Sequence, residues 1–406
     1  MDGKTLSSRL RELVKFLATV KGDLANVTGP PSLLAPSSVV EVGHCWAQRP
    51  SVFSAPAREP CPERRSLLVL RWFLIALRSQ LYVGVPDPST TSSAAKTAIS
   101  IRKPLNAFLG ELFLASWTDE VHKSKTELVA EQVSHHPPIT AMHVVDREHG
   151  VRADGYARVE MTFNGNVNIR QVGHATLRVD RYEEDHLIPL PDVKVRGFMS
   201  GCMYPEIDGE YFIVSSSGFV TELRFWGEGI IRGKRNSFEG RIYRRDDPKK
   251  KSIYQVEGVW SGGWTVKDSR TGEVLESYRV DAPENEPLPV EIPPLEEQDP
   301  WESRNAWQGV LHGLMVGDMR MVVNEKTKIE QAQRQMRASE VARGKKWQPL
   351  LFRSGEGEAH EVFHKLSEGL GWQLQHERTK GVWRVDDGRV KNLQRPFRPG
   401  VTPLGY

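Results

Sequence analysis

Residues 111–280 read as one strand after another, and no other stretch constrains the fold as much. Segments 167–179, 193–199, 220–226 and 252–260 are rich in Val, Ile, Tyr, Phe and Trp, and several alternate in polarity. β-branched and aromatic side chains suit a pleated surface, and alternation sends one set to a core and the other outward. Gly, Asn and Asp interrupt these segments at short spacing, as at Asn164-Gly165 and Asp208-Gly209. Many short strands joined by tight turns predict a large antiparallel sheet or barrel.

Helical patterns flank this stretch. Leu6, Leu10, Leu13, Val14, Leu17 and Val20 recur at three- and four-residue steps, the signal of an amphipathic helix. Gly22 offers a C-cap, and Pro30-Pro31 stops any continuation. A second helix is predicted over 62–82; it is apolar all round and so packs inside. Residues 282–300 are rich in proline and acid, and extended. Helices return at 302–316 and 319–344, the latter carrying Lys326, Glu330 and Arg334 on one face. The last 50 or so residues mix Gly, charge and Pro without a readable pattern, and no repeat is visible.

Composition excludes several classes. The 406 residues are 39% hydrophobic, ample for a large core. A net charge of +3 argues against a general nucleic-acid binder but leaves room for basic patches that meet anionic membranes. Cys45, Cys61 and Cys202 form no CxxC pair and suggest neither a disulfide framework nor a zinc site. The N-terminus is charged from the start, unlike a signal peptide. The most apolar window, 67–77, contains Arg71 and falls far short of the ~20 residues of a membrane span. Membrane contact is therefore expected to be peripheral and reversible.

The segment Glu131-Gln132-Val133-Ser134-His135-His136-Pro137-Pro138 is unusual. Two adjacent histidines precede two prolines that fix the backbone extended. Adjacent strand residues point to opposite faces, so both imidazoles meet one ligand only if the chain bends. On composition alone the segment fits a phosphate site, half of a metal site lacking its other ligands, or a structural turn.

This segment resembles the EQVSHHPP signature of oxysterol-binding and related proteins. Lys103-Pro104-Leu105-Asn106-Ala107-Phe108-Leu109-Gly110-Glu111 resembles the family's KPLNPFLGE. Residues 326–334 match its KxxxExxxR helix, and 294–298 running on to Ser303, Arg304 and Trp307 are also similar. The similarity covers roughly 1–353 and is closest in form to short fungal members made of the lipid-binding domain alone.

The resemblance implies a mainly β fold with α: an incomplete antiparallel barrel around a lipid tunnel, an N-terminal helical lid and C-terminal helices. It divides the chain into a lid at 1–30, a lipid-transfer domain at 31–353 and a divergent tail at 354–406. The tunnel takes a sterol or the acyl chains of phosphatidylinositol 4-phosphate. Lys103, Asn106, His135, His136, Lys326, Glu330 and Arg334 are the implied headgroup ligands. Gln80, Leu24, Val27 and Lys103 are the implied sterol contacts, although Leu81 stands where an aromatic usually follows the glutamine. Leu10, Leu13, Leu17 and Val20 form the lid's apolar face. Glu111 is expected to pair with a basic side chain of the barrel wall, and Arg170 to make a structural ion pair.

The expected activity is exchange of two lipids through one tunnel, with no catalysis, metal or cofactor. The partners are a sterol of the ergosterol or cholesterol type, the phosphoinositide, and transient anionic surfaces of endoplasmic reticulum, Golgi or endosomal membranes; the chain is expected to be a cytoplasmic monomer. Alternatives are a phosphatidylserine exchanger or lipid sensor of the same family, or a phosphate-ester hydrolase with His135 or His136 as base.

Overall fold

The alternating segments pair almost in chain order. In the computed structural model, which describes residues 23, 34–81, 103–197, 204–227, 234–355 and 358–405, two short strands, β1 (Leu34–Ser38) and β2 (Lys103–Leu105), pair in parallel. A 14-stranded sheet follows. Its strands are β3 (Leu112–Asp119), β4 (Ser124–His135), β5 (Pro138–Asp146), β6 (Val151–Phe163), β7 (Val167–Val179), β8 (Glu184–Ile188), β9 (Val193–Arg196), β10 (Tyr204–Ile207), β11 (Gly209–Ser215), β12 (Phe219–Trp226), β13 (Ser237–Arg244), β14 (Tyr254–Val259), β15 (Gly263–Asp268) and β16 (Val274–Arg279).

Every pairing in this sheet is antiparallel, and β9 with β10 forms a side branch from β7. The sheet does not close: β3 and β16 end its main path, which makes the barrel incomplete. The proline-rich segment covers the β3 edge. Ser116 and Glu291 exchange backbone bonds at 2.9 and 2.8 Å, and Leu112 N–H donates to the Trp301 carbonyl at 2.9 Å. An edge strand otherwise presents open donors and acceptors.

β4 and β5 are buried almost continuously, because both faces are covered. Leu128 and Ala130 join one core with α1 (Pro50–Arg58) and α2 (Pro62–Leu81). Helix α2 buries Val69, Leu70, Trp72, Phe73 and Leu74 there, the all-round apolar helix the sequence predicts. Val129 and Val133, one residue out of phase, join a second core under α3 (Gln308–Val316) and α4 (Met319–Ala342). Gly317, left-handed at φ 75°, ends α3; Asp318 then caps α4, its carboxylate accepting from the N–H groups of Arg320 and Met321.

The last 50 residues pack against this frame. β17 (Phe352–Gly355) pairs with β18 (Val382–Val385), and Trp383 enters the second core. Helix α5 (Glu358–Ser367) places Phe363 and Leu366 against Leu187, Val214, Val220 and Tyr243. Phe363 is 1% exposed. Phe363→Ala is therefore expected to cost about 3–5 kcal/mol of unfolding free energy. Urea denaturation checks this; a loss below about 1 kcal/mol would mean that the segment is only loosely attached.

Candidate functional site

β4 carries the histidine motif to the end of the sheet, and its residues divide by task. The Glu131 carboxylate is buried and accepts from the N–H groups of Leu350, Leu351 and Phe352 at 2.6, 2.8 and 3.3 Å. Burial raises its pKa while those bonds oppose the rise. Gln132 accepts from the Thr140 hydroxyl at 2.6 Å and donates to the Ser134 carbonyl at 3.0 Å. These groups build the frame. His135 and Pro138 then close a hairpin through His136 and Pro137, whose peptide bond is cis. This is the four-residue turn with cis-proline in its third position. It brings the imidazoles together, with ring centroids 4.6 Å apart.

His135 Nδ1 donates to the Ala107 carbonyl at 3.2 Å, because a carbonyl can only accept. Nε2 is then the atom that titrates: neutral, it accepts from a hydroxyl; protonated, it donates to an anion. His135 keeps solvent contact. Surrounding protein nevertheless lowers its pKa, with the charge of His136 adding to that and Glu330 opposing it.

α4 supplies the opposing groups. Lys326 is buried and ion-paired with Glu330, one turn on. From β2, Lys103 adds a second ammonium. Burial, and after it the charge of Lys326, lower its pKa to about 8 against the opposing charge of Asp23. Asp23 also accepts from the Met161 N–H at 2.8 Å. Lys103, Lys326, Glu330, His135 and His136 are thus electrically linked in one group. Asn106, next to Ala107, is half-buried and makes no hydrogen bond among the described residues.

Arg334 is exposed on α4 and makes no hydrogen bond or ion pair among the described residues. The guanidinium whose charge acts on His135 is Arg337. Helical arithmetic explains this: Arg337 lies within about 20° of Lys326 around the axis, whereas Arg334 is about 80° away. Arg334 is the position that the KxxxExxxR resemblance implies, and Arg337 lies outside that motif.

Glu111 departs from expectation. It is fully buried and has no cationic partner among the described residues. The Ser303 hydroxyl donates to it at 2.7 Å and the Phe108 N–H at 3.1 Å; burial raises its pKa to about 7. Gly110 beside it is left-handed at φ 86°, and a Cβ there would stand 2.3 Å from Trp347. Half of that motif is therefore architecture. Arg170 makes the expected structural contacts, 3.1 Å to Gln375 and 3.6 Å to Glu160.

The expected lid and sterol contacts Leu10, Leu13, Leu17, Val20, Leu24 and Val27 lie outside the described residues, as does the side chain of Gln80. In the two turns before Gln80, Phe73, Ala76 and Leu77 line a small cleft with Trp46, Ile188, Pro189 and Leu190. Among the described residues no helix is long and apolar enough to cross a membrane.

A model of the oxysterol-binding protein family matches residues 12–312. The chain belongs to that family. It is 44% identical over 395 residues to the probable transporter efuK of Hormonema carpetanum, covering 97% of this chain but 54% of that protein. It is 33% identical over 351 residues to protein kes1 of Schizosaccharomyces pombe, covering 86% and 87% respectively. The oxysterol-binding fold is shared with two solved structures. The Osh1 ORD domain in complex with cholesterol aligns at TM-score 0.67 and 20% identity, over 89% of this chain and 86% of that one. The Osh3 ORD of Saccharomyces cerevisiae in complex with PI(4)P aligns at TM-score 0.63 and 18% identity, over 86% and 87%.

The lowered pKa of Lys103 sets a pH dependence for any anion held here. An anion favours the charged ammonium, so affinity is full below pH 8 and falls as pH rises through about 8. Lys103→Arg stays charged throughout and should flatten that fall. Calorimetric titration with a soluble phosphoinositide headgroup between pH 7 and pH 9 checks it; equal slopes in both proteins would remove Lys103 from the site.

Proposed function

We propose that this protein binds a sterol and phosphatidylinositol 4-phosphate one at a time in one internal tunnel and exchanges them between membranes. The observation that carries the reading is the chain of charge contacts that joins Lys103 to Lys326, Lys326 and His135 to Glu330, and His135 to His136. A phosphomonoester brings about −1.5 to −2 charge near neutral pH. Charge-assisted hydrogen bonds from two ammonium groups and two imidazoles match it. Glu330 and neutral His135 Nε2 remain as acceptors for inositol hydroxyls. The apolar cargo answers to a different force. A sterol-sized body buries on the order of 500 Å², worth about 12 kcal/mol at ~25 cal/mol per Å². That gain offsets the cost of leaving a bilayer.

The chemistry is binding and release, with no bond made or broken. Membrane contact is peripheral and brief, on anionic surfaces. Family membership and the oxysterol-binding fold support this reading, as do the complexes of the Osh1 ORD domain with cholesterol and of the Osh3 ORD with PI(4)P.

The test loads the protein with a fluorescent sterol and adds vesicles containing phosphatidylinositol 4-phosphate. Sterol is expected to be released from the wild-type chain. His135→Ala/His136→Ala is expected to take up sterol normally but to resist release, its phosphoinositide extraction falling by about tenfold or more. Retention of sterol by a wild-type chain that has also taken up the phosphoinositide would refute exchange. Release by phosphatidylserine vesicles in place of the phosphoinositide would point to a different cargo pair.

A further inference from the structure

Lys380 belongs to no motif, yet it touches the histidine turn. Its ammonium donates to the His136 carbonyl at 2.6 Å and to the Ser134 hydroxyl at 3.1 Å. An ammonium has three donors and no acceptor. Among the described residues the third donor is unspent. The backbone beneath it is fixed. Lys380 ends a helical turn, α6 (His376–Thr379), in the left-handed region at φ 55°, which a lysine enters at a cost. The Ser354 hydroxyl donates to the Lys380 carbonyl at 2.7 Å, and the Trp383 indole N–H donates to the Thr379 carbonyl at 2.9 Å. A surface lysine ordinarily samples many rotamers. This one is held at both ends.

Lys346 adds a second charge. It is exposed and makes no hydrogen bond or ion pair among the described residues, and together with burial its charge lowers the Lys380 pKa. Its neighbour Trp347 packs against the guanidinium groups of Arg337 and Arg398, 4.4 and 4.0 Å from the ring centroid. No carboxylate is among the groups acting on Lys380. Lys380 therefore stands against the histidine turn with Lys346 close enough for its charge to be felt, and His136 links this lysine to the Lys103 group.

We propose that Lys380 and Lys346 form a phosphate-binding wall beside His136, contributed by the C-terminal part of the chain and specific for a phosphomonoester. The proposal rests on the headgroup reading above and adds two ligands that lie outside all of the motifs. The same chemistry serves a lipid headgroup and free phosphate.

The test compares the full chain with Lys346→Met, Lys380→Arg and Lys346→Met/Lys380→Met. Each is assayed for extraction of phosphatidylinositol 4-phosphate from phosphatidylcholine vesicles, for sterol uptake, and for inorganic phosphate binding by calorimetry. The double variant is expected to lose about tenfold in extraction with sterol uptake unchanged, Lys346→Met about threefold, and Lys380→Arg little. A parallel loss of inorganic phosphate binding identifies a site for phosphate from either source; loss of extraction alone identifies the lipid headgroup. Lys346→Met breaks no described contact, so it carries the test even where Lys380→Met fails to fold. Extraction by either lysine-to-methionine variant at the wild-type level overturns the proposal, as does equal loss of sterol uptake. A wild-type chain that extracts no phosphoinositide overturns this proposal and the exchange reading together.

Discussion

The ammonium groups of Lys103 and Lys326 repel each other where much of the surrounding water is excluded, and the proposed headgroup site depends on that pair. Burying a charge is costly unless it is paired. Lys326 has Glu330, and Asp23 acts on Lys103, but the balance still leaves Lys103 close to giving up its proton. Glu330 links Lys326 to His135 and its neighbour His136, and surrounding protein disfavours the charged form of His135. A dianionic phosphate reverses each of these penalties at once. On the proposed reading, a phosphate would supply the negative charge that these groups favour, and charge would then select the ligand.

The sheet makes this arrangement possible. β4 is covered on both faces, so its alternate residues anchor two cores while its end projects His135 and His136. Glu131 ties the same strand to residues 350–352, and Ser134 and the His136 carbonyl accept from Lys380. The C-terminal segment is therefore part of the frame that fixes the imidazoles. A short strand pair, a long helix and a hairpin tip each deliver one component, and none carries the chemistry alone.

Much of this was legible in the sequence. Strand-rich alternation across 111–280 announced the antiparallel sheet, and the apolar helix over 62–82 its inner packing. The motifs named Lys103, His135, His136, Lys326 and Glu330, which the fold brings together. Glu111 was misread because a buried carboxylate can be satisfied by a hydroxyl and a backbone N–H, and neither leaves a trace in charge patterning. Arg337 lies outside the KxxxExxxR motif, and only the 3.6-residue turn puts it near the face of Lys326. The segment after 353 offered no periodicity, because it is built from short elements that pack on a preformed sheet and take their order from it.

The central claim is that an anion relieves the electrostatic strain on Lys103. The most direct measurement is the pKa of its Nζ by NMR, in the free protein and in the complex with phosphatidylinositol 4-phosphate. The account expects about 8 in the free protein and a clear rise on binding. An ordinary lysine value in the free protein, or one that binding leaves unmoved, would contradict it.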